Sequence, residues 1–197
     1  TLLQPVHAQE WSSWRGSDRD GRVAPQTALL EWPESFATAW RADVGEGYSS
    51  PVIGDGHIFT HGRTGVREVV TAHDLTTGAL VWQRDYAAAF TSNSLAPPEL
   101  QGPFATPVVA DDRVITLGVT GVLSSWDAAS GDLQWRNSYA SFISTTDLFC
   151  GTAASPLVVD DRLFVQVGSD TNGGRVLALD LASGDEVWVW DGVGPGY

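Results

Sequence analysis

Three histidines close together in sequence, His57, His61 and His73, are residues whose type suggests a metal. His57 and His61 lie four apart in a strand-like run, so they share a face but stand about 13 Å apart at ~3.3 Å per residue. Zinc needs ligands that converge to about 2 Å, which this pair does not offer without a bend, and His73 belongs to another strand. Asp74, Asp127 and Asp180 are carboxylates that could serve as acid–base groups or calcium ligands. Each stands at the same place in a repeated turn, however, and a repeated position points to capping of the turn backbone. Asp170-Thr-Asn172-Gly173-Gly174 has part of the composition of a calcium loop without a later Glu, and reads as an exposed Gly-rich turn. Cys150 is the only cysteine, so the chain holds no internal disulfide, and every His lies at or before His73, which leaves Cys150 without a nearby base. These residue types assign no catalytic, cofactor-binding or metal-binding residue.

What positions such residues is a repeat. Ala72-His-Asp74-Leu-Thr-Thr77-Gly78-Ala-Leu-Val-Trp82 returns as Asp127, Ser130, Gly131 and Trp135, then as Asp180, Ser183, Gly184 and Trp188. The spacing from Trp82 to Trp135 and from Trp135 to Trp188 is 53 residues each time, a period of propellers, solenoids or arrays. In each unit an apolar run enters the Asp, Gly supplies the positive φ of a tight turn, and a second apolar run carries the Trp, which describes a β-hairpin. Trp82, Trp135 and Trp188 could stack on a cofactor; their repetition points to packing between units, each ring burying about 150–250 Å².

Four strands fit each unit. They fall near 50–53, 57–63, 68–74 and 79–86 in the first, 106–110, 113–118, 122–127 and 132–137 in the second, and 155–159, 162–168, 175–180 and 186–190 in the third. Pro51, Pro107 and Pro156 sit at strand starts, where a missing N–H does no harm. The fold predicted is all-β: an incomplete β-propeller of three four-stranded blades, about 50–86, 106–137 and 155–190. A lone strand ending at Trp40 precedes them and is expected to close the ring, abolishing a sheet edge. Val193-Gly194-Pro195-Gly196-Tyr197 echoes Val44-Gly45-Glu46-Gly47-Tyr48, so the sequence is expected to break off as the next blade begins, with a parent of seven or eight blades. The segments 87–103 and 140–152 exceed what a hairpin needs, and loops on a rigid ring are where binding usually resides; Phe90, Phe104, Phe142 and Phe149 at their edges fit aromatic plugs over the blade junctions at least as well as a ligand site.

The motifs together carry a resemblance. Trp11-Ser-Ser-Trp14-Arg15-Gly16-Ser-Asp18-Arg19-Asp20-Gly21, then Gly45-Glu-Gly47-Tyr48-Ser49-Ser50-Pro51-Val52, then three Asp-x-x-Thr/Ser-Gly-x-x-x-Trp units, resemble the secreted bacterial proteins with pyrroloquinoline-quinone-like (PQQ-like) propeller repeats. These are related by fold to the outer-membrane assembly propeller lipoprotein and to the quinoprotein alcohol dehydrogenases. The resemblance covers nearly the whole chain and implies a quinoprotein alcohol dehydrogenase-like propeller. It leaves two functions open: a non-catalytic protein-binding or scaffolding module of the cell envelope, or a dehydrogenase that oxidises an alcohol or sugar with PQQ and calcium. The resemblance implies, for the second, carboxylate and amide ligands to calcium, a catalytic Asp and often a disulfide between adjacent cysteines, and the chain has no adjacent Cys pair.

Charge narrows the partners. The chain carries 24 acidic against 11 basic residues, all eleven of them Arg, for a net charge of −13. That field repels a phosphate backbone, so nucleic acid is excluded as a partner and a protein or envelope component is expected instead. Residues 1–8 have the small-residue pattern of the end of a signal peptide, with cleavage expected after Ala8 and a periplasmic or secreted protein implied. No stretch approaches the ~20 apolar residues of a membrane span. The domain plan is therefore 1–8 as a leader remnant, 9–49 as an N-terminal segment with its closing strand, and 50–197 as propeller repeats.

Overall fold

The computed structural model describes residues 10–23, 34–97, 99–143, 150–169, 171, 173–192 and 194. Twelve strands form three antiparallel sheets in strict chain order. The first holds β1 (Val52–Gly54), β2 (His57–Thr64), β3 (Arg67–Asp74) and β4 (Leu80–Ala87). The second holds β5 (Val108–Ala110), β6 (Arg113–Leu117), β7 (Val122–Asp127) and β8 (Leu133–Ser138), and the third β9 (Leu157–Val159), β10 (Arg162–Ser169), β11 (Gly173–Asp180) and β12 (Glu186–Gly192). A short 3-10 turn at Ala140–Phe142 is the only helical element among the described residues. Short inner strands stand side by side, β1 beside β5 and β5 beside β9, so the sheets are consecutive blades of a propeller.

The hydrophobic core lies between blades rather than inside one. Val52, Phe59, Val70, Ala72, Trp82 and Tyr86 of blade 1 meet Val114, Trp126 and Ala128 of blade 2. Ile115, Leu117 and Leu123, on the other face of blade 2, meet Leu163, Val165, Leu177 and Leu179 of blade 3. Strand alternation explains the split, since successive residues point to opposite faces and both faces of a middle blade are buried. The register of β3 with β4 shifts between Ala72 and His73, of β7 with β8 between Ser125 and Trp126, and of β11 with β12 between Ala178 and Leu179. Each irregularity stands at the same place, just before the repeat Asp, so the bulge is part of the repeat.

One contact recurs at every junction. The Trp82 ring lies on Gly131, where an added Cβ would be 2.6 Å from it, and its Nε1–H donates to the Ala128 carbonyl at 2.8 Å. Trp135 lies on Gly184 in the same way and donates to Leu181 O at 3.1 Å. Gly131 also has φ of 73°, so both its backbone and the ring above it demand the absence of a side chain. Trp40 completes the series from the other side: it lies on Gly78 and donates to Leu75 O at 3.0 Å. Residues 34–45 carry no strand among the described residues, yet Trp40 occupies the place that a preceding blade's Trp would fill. Trp188 has no such turn in front of it among the described residues and is 47 % exposed.

These contacts set an order of effects. Trp40 is half-buried whereas Trp82 is buried, so Trp40→Ala should cost less than the about 3–5 kcal/mol of a buried Trp→Ala change. Urea unfolding of both variants checks this; equal losses would contradict the ranking.

Candidate functional site

The two ends of the blades differ in chemistry. At one end lie the β1–β2 and β3–β4 turns and their counterparts, tied in pairs by Leu75 N–H to Gly56 O, Ala128 N–H to Asp112 O and Leu181 N–H to Asp161 O. This end collects Asp55, Asp74, Asp111, Asp112, Asp127, Asp160, Asp161 and Asp180. Its repeat carboxylates are spent on their own turns. Asp127 Oδ1 accepts from Ala129 N–H, Ser130 N–H and Ser130 Oγ at 3.1, 2.8 and 2.9 Å, and Asp74 Oδ1 accepts from Thr76 N–H, Thr77 N–H and Thr77 Oγ. Asp180 accepts from Ala182 and Ser183 N–H, while Ser183 Oγ turns to Asp185. Donation from Thr77 Oγ and N–H lowers the Asp74 pKa, and the Ser130 and Ser183 backbones lower those of Asp127 and Asp180.

The central side is taken by the N-terminal segment. Trp11 pairs with Ile53 on the free edge of β1 through two hydrogen bonds of 3.0 and 2.9 Å. Ser12 O accepts from Val109 N–H on β5 at 2.8 Å, and Arg19 donates to Pro156 O ahead of β9 at 3.2 Å. The Trp-rich motif thus runs across the inner strands of all three blades. Among the described residues, clefts of about 230 and 130 Å³ lie beside it, below the roughly 300–1,000 Å³ usual for a ligand site.

At the opposite end lie the β2–β3 turn and the inter-blade segments, joined by Ala88 N–H to Val66 O and Thr152 N–H to Val119 O. Here the repeat is broken. Glu68, on β3, is 0 % exposed and makes contacts on both carboxylate oxygens. Oε1 accepts from Val119 N–H of blade 2 at 3.0 Å and lies 3.5 Å from Arg63 Nη2; Oε2 accepts from Tyr86 OH at 2.6 Å and lies 3.5 Å from His61 Nε2. Burial alone raises the Glu68 pKa, but the hydrogen bond and charge of His61, with the Tyr86 and Val119 hydrogen bonds, hold it below its ordinary value. Burial and the neighbouring carboxylate push Tyr86 well up. Arg63 turns its other donors to the carbonyls of Gln101 at 3.1 Å, Ala88 at 2.9 Å and Gly65 at 3.2 Å. Blade 2 makes room with Gly118, where any Cβ would overlap Glu68.

Near this sealed cluster large apolar side chains are exposed beside Glu46 and Glu99. Tyr48 stacks on Phe104 with centroids 5.2 Å apart and planes at 9°, and its N–H donates to Pro103 O. Tyr48 is 56 % and Leu95 83 % exposed. Phe90 is buried, and Phe142 lies under the Arg175 guanidinium at 4.0 Å. Phe149, Asp170 and Asn172 lie outside the described residues, as do residues 1–8. His57, His61 and His73 are not brought together: His73 pairs with Ile58 and so faces away from His61, and stacks with Trp40. Cys150 is a free, partly buried thiol whose pKa burial raises. The Arg63–Glu68–His61–Tyr86 cluster was not singled out from sequence; its signal was a charged pair standing where the other blades carry Gly and apolar residues.

A family model described as "Outer membrane protein assembly factor BamB" matches residues 66–196, about two thirds of the chain. The chain belongs to that family. Among its relatives, proteins named outer membrane protein assembly factor BamB from Shewanella oneidensis and Yersinia pestis are each 29 % identical to it, over 91 % and 86 % of this chain. The chain spans 43 % and 36 % of their lengths, less than half. Among solved structures, a europium-containing methanol dehydrogenase matches 77 % of this chain and 25 % of its own with a TM-score of 0.56 at 24 % identity. A quinohemoprotein alcohol dehydrogenase from Pseudomonas putida matches 77 % and 22 % with 0.53 at 22 % identity. These two likenesses establish the PQQ-like propeller fold and nothing of activity.

The fit of PQQ and calcium can be tested on the family fold. Calcium takes six to eight oxygen ligands. Among the described residues no group of three or more His, Cys, Asp or Glu is placed to hold a metal ion. The repeat carboxylates are held by their turns, and Glu68 is sealed, so the described residues do not fit the ion.

Proposed function

We propose that the chain is part of a non-catalytic propeller of the cell envelope that binds proteins through its loop face. The observation that carries this reading is the separation of chemistry from access. The cluster of titratable side chains that breaks the repeat is sealed at a blade junction, while Tyr48, Leu95 and Val66 are exposed at the same end beside Glu46, Arg67 and Glu99. Rigid blades that expose large apolar side chains on their loops suit protein recognition, in which aromatic anchors dominate. The family match adds the printed role of its relatives, outer membrane protein assembly, which supports an envelope location.

Calorimetric titration with PQQ and calcium, followed by dye-coupled oxidation of short alcohols and aldoses, tests the reading. It predicts no stoichiometric uptake and no quinone-dependent dye reduction. Turnover that requires the quinone would make the chain part of a dehydrogenase.

A further inference from the structure

We propose that the buried Glu68–Arg63 pair is the tether that holds the loop face in shape, and that losing the Glu68 charge in acid releases residues 99–104 and the Tyr48–Phe104 pair from blade 1. The inference rests on reading the loop face as the binding surface, and makes that surface acid-sensitive.

The tether is particular to blade 1. His57, Arg113 and Arg162 each pair with the repeat Asp of their blade, so Arg63 corresponds to Val119 in blade 2 and Gly168 in blade 3. No charge is needed at this position to build a blade. What the charge does is visible in its partners. Arg63 donates to Gln101 O and Ala88 O in the inter-blade segment, and residue 46 pairs with its backbone, N–H to Arg63 O at 2.9 Å and O to Arg63 N–H at 2.7 Å. Tyr48 N–H and Ser49 N–H then both donate to Pro103 O. The segments 45–49 and 99–104 are therefore fastened to each other and, through Arg63, to Glu68. Glu68 in turn holds blade 2 by Val119 N–H.

Among the described residues, the charged and titratable groups that face the carboxylate come from three strands. His61 and Arg63 come from β2, Tyr86 from β4, and Arg136 of β8 reaches over the Tyr86 and Trp126 rings at 4.7 and 5.1 Å. The β6–β7 turn offers only backbone, and Glu46 is exposed. All the facing side chains are cations or hydrogen-bond donors, so the anion is the centre of the cluster. Neutralising it leaves Arg63 buried without its counter-charge, and a buried unpaired charge is strongly unfavourable. Because the Glu68 pKa is lowered in the fold, the contribution is complete above 4.5 and disappears as pH falls through the lower folded value.

Hydrogen exchange of the whole chain, corrected for intrinsic rates, reads this without any partner. Protection of residues 99–104 and of the Val119 amide should fall about tenfold or more as pH is lowered from 6 through the depressed folded pKa of Glu68, while β10 and β11 stay protected. Glu68→Gln should show the low protection already at pH 6 and little further change. Constant protection across this range in the wild-type protein, or loss in step with β10 and β11, overturns the tether, and the wild-type series decides even if the variant fails to fold. Because no partner is present, a failure of the tether is distinct from a failure of the loop face to bind.

Discussion

Replacing Trp82 by Ala is expected to lower the unfolding free energy by about 3–5 kcal/mol, a large part of the roughly 5–15 kcal/mol that holds a domain. The indole is buried, lies on Gly131 and donates to Ala128 O, so the change removes packing on both blades and leaves a carbonyl without its donor. Gly131→Val should act at the same junction from the other side. It forces a β-branched residue to φ of 73° and places its Cβ within 2.6 Å of the ring. Denaturant unfolding measures both. If the double variant loses as much as the two single losses added together, the two residues do not share one contact and the blade-docking account fails.

Arg63→Ala should be comparably damaging, about 3–5 kcal/mol, because it leaves the Glu68 carboxylate buried beside an empty space. Replacing Arg63 and Glu68 together by Met and Leu should lose markedly less than Arg63→Ala alone, since no buried charge is then left unmatched. Unfolding midpoints of the single and double variants give the comparison. A double variant weaker than Arg63→Ala would mean that the loss in Arg63→Ala does not come from an unmatched buried charge.

The architecture was legible because it is periodic. Three copies of Asp-x-x-Thr/Ser-Gly with a Trp four residues on marked the hairpins, and all twelve strands fall within two residues of their expected ends; β11 begins two residues before the expected Arg175, at Gly173 and Gly174, which read as turn. Trp40 was visible as an unpaired member of the Trp series, but its place on Gly78 and the lack of a strand around it were not, because both depend on which neighbour stands beside it. The path of Trp11 to Arg19 across the inner strands was also hidden: a Gly-punctuated polar segment has no period, and its position follows from edge hydrogen bonds supplied by distant residues. Glu68 and Arg63 were hidden for a different reason. Charged residues in a strand read as solvent-facing, and only the long hairpin of blade 1, folded against Gly118, buries them.

Site-specific photo-crosslinking tests the central claim most directly. A benzophenone amino acid at Tyr48 or Leu95, on the loop face, is compared with one at Asp132, on the turn face, in protein exposed to native cell-envelope extract. The account predicts discrete protein adducts from Tyr48 and Leu95, and none from Asp132. Adducts from Asp132 with none from Tyr48 and Leu95 would contradict it.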